Sequence, residues 1–285
     1  MWWSTLAGKL EGAKALDPAA DAVNRLVDKA LPRGPVKDAL HGRAIGHPLH
    51  PVLVGLPIGM WSAATLLDLT SGRDGRRAAQ RLVGAGVLMV APTAAAGLAD
   101  WSELGAFQRP KRVGLVHAVA NTVTAGMYAA SWLARQRGDH ARGRNLALLG
   151  AAGLGVGGYL GGHLAYSQGV GVDRNADEQK QPRDWTDAAS LAALPAEGLA
   201  RVEVSGQQVV LASVAGDVFA MSATCSHYGG PLDEGSLEAG CVVCPWHGSH
   251  FRLEDGSVAR GPATAPQLSY DVRAVGDRIQ IRARP

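Results

Sequence analysis

The chain has 285 residues, with 28 Lys and Arg against 25 Asp and Glu, three cysteines and a mean hydropathy near zero. Its arginines are scattered, so no basic stripe suited to a nucleic acid forms, and three cysteines argue against a secreted disulfide scaffold and favour metal binding. The hydropathy averages two materials: residues 51–166 run through long uncharged stretches of Ala, Gly, Leu and Val, whereas 167–285 carry mixed charge and short alternating runs.

In chain order, residues 1–46 come first. Asp17-Pro18 offers a helix N-cap followed by a residue suited to the first turn, and Val23, Leu26, Val27, Ala30 and Leu31 then follow helical spacing. This predicts one amphipathic helix, lying on a bilayer surface or against the helices that follow. The first 30 residues show neither a twin-arginine pair nor the apolar core of a cleavable signal.

Residues 47–166 contain four apolar stretches, 51–67, 82–99, 113–134 and 146–166, each free or nearly free of charge. Their lengths approach the ~20 residues a helix needs to cross ~30 Å of hydrocarbon, and they predict a four-helix transmembrane bundle. The first two are the weaker, being short and containing Pro57 and Pro92, although spans tolerate proline. Gly153, Gly157 and Gly161 form a stripe of small residues on the fourth, which predicts close packing at the centre of the bundle.

Four antiparallel spans bring His47, His50, Asp100, His117 and His163 to one side. Ionisable groups are costly in a bilayer and mark functional sites, so this convergence reads as axial ligands to a haem, a metal site or a proton-handling cluster. Imidazole suits iron, copper and zinc alike, and spacing does not choose among them. Asp100 could orient one imidazole by accepting its second N–H. "HGRAIGHPLHPVLVGLPIGMW", with the later "DW", His117 and His163, resembles a family of bacterial four-helix membrane proteins recognised by an HPxHP motif. The resemblance covers about residues 38–166 and implies membrane insertion but no activity.

Residues 167–184 are polar and aperiodic, a linker expected to span ~25 Å as a flexible coil. From residue 185 the pattern turns to short alternating runs broken at Gly206, Gly216-Asp217 and Gly276-Asp277, which predicts a small antiparallel β domain. Inside it stand Cys225-x-His227 and, after sixteen intervening residues, Cys244-x2-His247. Two Cys and two His also make a zinc set, but fingers keep like residues together, whereas here each pair is mixed. Cys241, in "CVVC", reads as a small strand residue.

The two pairs, the Pro-Trp inside the second, Gly248-Ser249 and the Pro262–Pro266 loop resemble the Rieske iron-sulfur signature. The resemblance implies a 2Fe-2S cluster with Cys225 and Cys244 on the inner iron, and His227 and His247 on the outer iron where electrons pass. Relatives that oxidise quinol carry a further disulfide, and the matching positions here are Gly230 and Trp246. They also bond cluster sulfur through a Ser and a Tyr: Ser249 matches the first, whereas Phe251 replaces the second, which implies a lower potential.

The expected function is a membrane-anchored carrier of single electrons between unknown donor and acceptor proteins or quinone, within a larger oxidoreductase system. The alternative is a redox sensor whose cluster controls the membrane domain. A self-contained oxygenase is disfavoured, because only 38 residues follow His247 and such enzymes need a large domain for a mononuclear iron. The partners expected are a lipid bilayer and redox proteins, without nucleic acid. Arginines lean slightly towards the loops opposite the histidine side, yet clusters are ordinarily inserted in the cytoplasm, so a multi-pass protein with both termini and the iron-sulfur domain cytoplasmic is expected.

Overall fold

The computed structural model describes residues 2–176 and 181–284; part of the expected linker, 177–180, lies outside the described residues. Seven α-helices come first: α1 (Trp2–Gly12), α2 (Asp17–Ala30), α3 (Pro35–His41), α4 (Leu49–Thr70), α5 (Arg76–Ser102), α6 (Gln108–Gln136) and α7 (His140–Gly162). Ten strands follow. Two compact units result, Met1–Arg33 with Leu49–Val170 and Gly34–Pro48 with Gly171–Pro285, so α3 is grouped with the strands rather than with the helices around it in sequence.

In the first unit α4 packs on α5, α5 on α6, α6 on α7, and α7 on α4. Glycines set the close approaches. A Cβ at Gly86 would lie 2.3 Å from the Trp61 indole nitrogen, and one at Gly84 would lie 2.5 Å from that of Trp132. The Trp61 and Tyr128 rings stack at 4.1 Å between α4 and α6, and the Trp61 Nε1–H donates to the Val83 carbonyl at 3.2 Å. Asp68 and Arg135 form a buried two-point ion pair, with one N–O distance of 2.9 Å.

The α7 stripe is longer than the three glycines mark. Gly150, Gly153, Gly157 and Gly161 face Tyr128, Thr124, Asn121 and His117 of α6 in turn. The stripe therefore grips one neighbour rather than centring the helix, because Leu149 on another face is 59% exposed.

Among the described residues, α4 and α5 alone are both long and apolar enough, by length and composition, to cross a membrane. The sequence ranks them as the weaker pair, and the structure inverts that order. Both helices run through their prolines, to 22 and 27 residues. The mean hydropathy of α6 and α7 is diluted by the polar residues and glycines that pack them together.

The amphipathic helix is α2, and it lies against the helical unit. Ala20 and Val27 are buried while Leu26 is 66% exposed, and the Asn24 amide donates to the Ser102 carbonyl at 3.2 Å. Asp17 does not cap the helix: it is the first helical residue, and its carboxylate accepts from Arg112 Nε at 2.5 Å and Nη2 at 2.7 Å.

The second unit is built on β1 (Thr186–Ser190), β2 (Gly198–Val204), β3 (Gln207–Val214), β4 (Asp217–Ser222), β5 (Ser236–Glu238), β6 (Cys241–Val243), β7 (His250–Arg252), β8 (Val258–Arg260), β9 (Ser269–Val275) and β10 (Arg278–Ala283). They make two antiparallel sheets, ordered β1-β10-β9-β4-β3-β2 and β5-β6-β7-β8. The two-residue turns Ser205-Gly206, Ala215-Gly216 and Ala239-Gly240 have positive φ at both positions, matching the twist of the strands they join. One core gathers Val210, Met221, Leu232, Val242 and Phe251 beneath the segments that carry Cys225 and Cys244.

Candidate metal centre

Two loops with the same backbone plan carry the four residues. In the first, between β4 and β5, the Cys225 N–H donates to the Gly230 carbonyl at 2.9 Å and the Gly229 N–H donates back to the Cys225 carbonyl at 2.8 Å. In the second, between β6 and β7, the Cys244 N–H donates to the Ser249 carbonyl at 2.9 Å and the Gly248 N–H to the Cys244 carbonyl at 3.0 Å. Gly229 and Gly248 both sit four residues after their cysteine with positive φ, 76° and 70°, which a side chain would strain. Their shared offset from the cysteines is the sequence signal for the repeated loop.

Each loop turns backbone N–H groups onto its own sulfur. Cys225 receives those of His227 and Tyr228, and Cys244 those of Trp246 and His247. The two thiols are also hydrogen-bonded to each other, which pulls Cys244 down to about 6 and pushes Cys225 well up. Such a nest stabilises sulfur as thiolate, the form that binds metal. Both thiols are buried, as is Cys241, a β6 strand residue whose burial pushes its own thiol up.

The imidazoles of His227 and His247 face each other edge to face with ring centroids 5.0 Å apart. Burial, then the charges of His247, His41 and Arg174, hold His227 well below the usual histidine pKa, so its ring is neutral, and its buried Nδ1 has no hydrogen-bond partner. A neutral imidazole with a bare buried nitrogen is suited to a metal. Among the described residues no three His, Cys, Asp or Glu side chains group as a single ion would require. A sulfur pair beside an imidazole pair fits a two-metal cluster better than one zinc.

Supporting contacts surround the loops. Ser249 is fully buried, and its hydroxyl accepts the Ala263 N–H at 3.0 Å, tying the second loop to the proline loop. Gln267, 2% exposed, accepts from the Ser226 N–H at 3.0 Å and donates to the Ser222 and Thr224 carbonyls at 2.8 and 2.5 Å. Nothing in the sequence pattern singles out this glutamine. A Cβ on Gly230 would stand 2.9 Å from Cys244 Sγ and 3.1 Å from Trp246 Cγ, so a ring packed on a glycine joins the two loops.

Two segments expected elsewhere belong here. The Arg174 N–H donates to the Ser226 carbonyl at 3.0 Å and the buried Asn175 accepts from Ser222 Oγ at 3.3 Å, so the middle of the expected linker is bound to the β unit. On α3, Asp38 accepts the Gly261 N–H at 3.2 Å, and His41 is 3% exposed.

The other expected site divides. His50 and His117 meet in the helical unit with ring centroids 6.5 Å apart. His163 instead pairs with Glu11 at 2.8 Å, Asp100 lies in the last turn of α5, and His47 is exposed and belongs to the second unit.

The family model described as Rieske [2Fe-2S] domain matches residues 184–274, and that described as Predicted membrane protein (DUF2231) matches residues 46–174. The naphthalene 1,2-dioxygenase system ferredoxin component of Pseudomonas aeruginosa is 30% identical over 97 residues, 34% of this chain and 93% of that protein. The anthranilate 1,2-dioxygenase ferredoxin subunit of Burkholderia cepacia is 35% identical over 79 residues, 27% of this chain and 73% of that protein. Apoptosis-inducing factor 3 of Homo sapiens is 31% identical over 104 residues, 36% of this chain, and the chain spans only 17% of that protein's length.

Proposed function

The chain belongs to the Rieske [2Fe-2S] family through its C-terminal domain, and from that premise we propose that it is a membrane-anchored carrier of single electrons. In this reading Cys225 and Cys244 hold one iron, His227 and His247 hold the other, and α4 to α7 form a transmembrane four-helix bundle. The observation that carries it is the pairing itself: two thiols in backbone N–H nests beside two facing imidazoles, one with a bare buried Nδ1.

When bound, the 2Fe-2S group supplies reversible one-electron chemistry at a potential raised by its imidazole ligands. The chain supplies the rest. The nests offset sulfur charge, Gln267 and Ser249 fix the loops, and the rings of His227 and His247 form the edge through which electrons enter and leave. Donor and acceptor are taken to be redox proteins or quinone, as befits a domain similar to ferredoxin components of dioxygenase systems.

Support for the anchor comes from the helical surface. Val52, Leu66, Leu88, Val119, Val123, Leu149 and Val156, spread over all four helices, point outward, an apolar exterior suited to lipid rather than water. The β unit is placed in the cytoplasm, where clusters are assembled.

Electron paramagnetic resonance of reduced, detergent-solubilised full chain tests the cluster. A rhombic signal with two irons and two acid-labile sulfides per chain is expected, and zinc without sulfide overturns the reading. Retention in carbonate-washed membranes tests the anchor. Labelling of a cysteine placed at residue 140 in intact cells tests sidedness, the reagent reaching it only when that loop faces out.

A further inference from the structure

His50 and His117 form a second pair of imidazoles, outside the cluster domain and unused by the function above. They come from different helices, α4 and α6, and each ring is held through Nδ1 by the backbone of a further helix. His50 Nδ1 lies 2.9 Å from the Thr93 carbonyl of α5, and His117 Nδ1 lies 3.0 Å from the Gly157 carbonyl of α7. A carbonyl oxygen only accepts, so both Nδ1 atoms carry the proton and both Nε2 atoms are left with their lone pairs. A ring N–H fixed on a carbonyl, with the lone pair of the other nitrogen directed away from it, is how metal-bound histidines are oriented.

Two glycines make the space. A Cβ on Gly97 would lie 2.8 Å from the His50 ring, and one on Gly161 would lie 3.1 Å from His117 Cε1. The two ring planes stand at 81° to each other with centroids 6.5 Å apart. Two imidazoles trans on one metal, with metal–nitrogen bonds of ~2.0–2.1 Å, would place their centroids about 6.4 Å apart.

Among the described residues no third His, Cys, Asp or Glu joins the pair to complete a site for a bare ion. Two donors hold a free divalent cation poorly. A haem iron brings four nitrogens of its own and asks the protein only for axial ligands.

We propose that His50 and His117 are the axial ligands of a haem within the helical unit. In the ligand-free chain the Asn121 amide, which donates to the His117 carbonyl at 2.9 Å, also lies 3.1 Å from His117 Nε2. Ligation turns that amide away.

The test uses full-length protein extracted from membranes in detergent, read by optical spectrum and pyridine haemochrome, and then titrated with hemin. About one haem per chain with a six-coordinate, low-spin Soret band is expected. His50→Ala and His117→Ala should each weaken hemin retention at least tenfold and shift the band, whereas His47→Ala, His163→Ala and Asn121→Ala should keep it. The cluster's paramagnetic signal should persist in every variant, which shows that the β unit is folded, and an unchanged far-ultraviolet helix signal shows the same of the helical unit. A protein with no Soret band before or after hemin overturns the proposal, as does an unshifted band in both ligand variants or extra iron without a Soret band. A Soret band without the cluster signal would sink the cluster reading and leave the haem standing.

Discussion

Ser249 separates two roles of one hydroxyl. Its oxygen accepts the Ala263 N–H at 3.0 Å in a fully buried position, which leaves its own hydrogen for a further acceptor. If that acceptor is cluster sulfur, Ser249→Ala removes a bond worth about 0.5–1.5 kcal/mol, stronger in the reduced, more negative form. For one electron this corresponds to a potential lower by about 20–60 mV, read by protein-film voltammetry. The loop keeps its Cys244–Ser249 backbone bond in the variant, so the signal's shape should change little. An unmoved potential removes Ser249 from the redox argument. Gly230 is limited by space rather than conformation. A Cβ 2.9 Å from Cys244 Sγ cannot be relieved by a flexible chain end, so Gly230→Ala should cost about 1–3 kcal/mol by overpacking and lower the iron recovered per chain. Trp246→Ala, which removes the facing ring, should recover part of both in the double variant.

The two cysteine loops were readable as elements because their chemistry is local. Ligand types, spacing and glycines four residues after each cysteine lie within one short stretch, and hairpin turns betray themselves by their glycines at positive φ, although Ser205, Ala215 and Ala239 share that conformation. What sequence does not show is long-range partnership. Gln267 and Asp38 reach the site across 41 and 223 residues, and no periodicity encodes such contacts. The histidine cluster is less legible for a related reason: antiparallel order assigns a side but not a rotation about each helix, and of the five candidates the structure brings His50 and His117 ring to ring. The N-terminal helices show the same limit, since amphipathicity revealed α2 but not its clasp. Glu11 meets His163 and Arg109, Asp17 meets Arg112, and Asp21 meets Lys111. Burial raises the pKa of Glu11, but hydrogen bonds from His163 and Gln168 and the charge of Arg109 outweigh it, while Asp17 and Asp21 are lowered first by their hydrogen bonds to Arg112 and Lys111. A carboxylate depressed in the folded state contributes stability above its unfolded pKa of ~3.9–4.3 and loses it as pH falls through the folded value. The clasp should therefore hold from neutral pH to about 5 and open below about 4. Hydrogen exchange in α1 and α2 should rise across that window while β3 and β4 stay protected. Exchange independent of pH would show that the ion pairs do not hold the helices.

At the scale of the molecule, the chain passes between its two units three times, after Arg33, Pro48 and Val170. A simple tether would need one passage. The extra pair inserts residues 34–48 into the β unit, where Asp38 binds the Gly261 backbone and His41 is close enough to His227 to depress its pKa. The β unit is thus assembled from chain segments on both sides of α4 to α7 in sequence. A protease site engineered between Ala176 and Gln181 tests this directly. For a plain tether, cleavage releases residues 181–285 from washed membranes at once. With α3 as part of the β unit, most of the cleaved fragment should sediment with the membranes, its cluster signal intact. Asp38→Ala should shift the fragment towards the supernatant, because it removes the acceptor of a part-buried backbone N–H and breaks the contact that crosses the cut. Complete release from the unsubstituted protein would mean that residues 34–48 lie on the β unit without holding it.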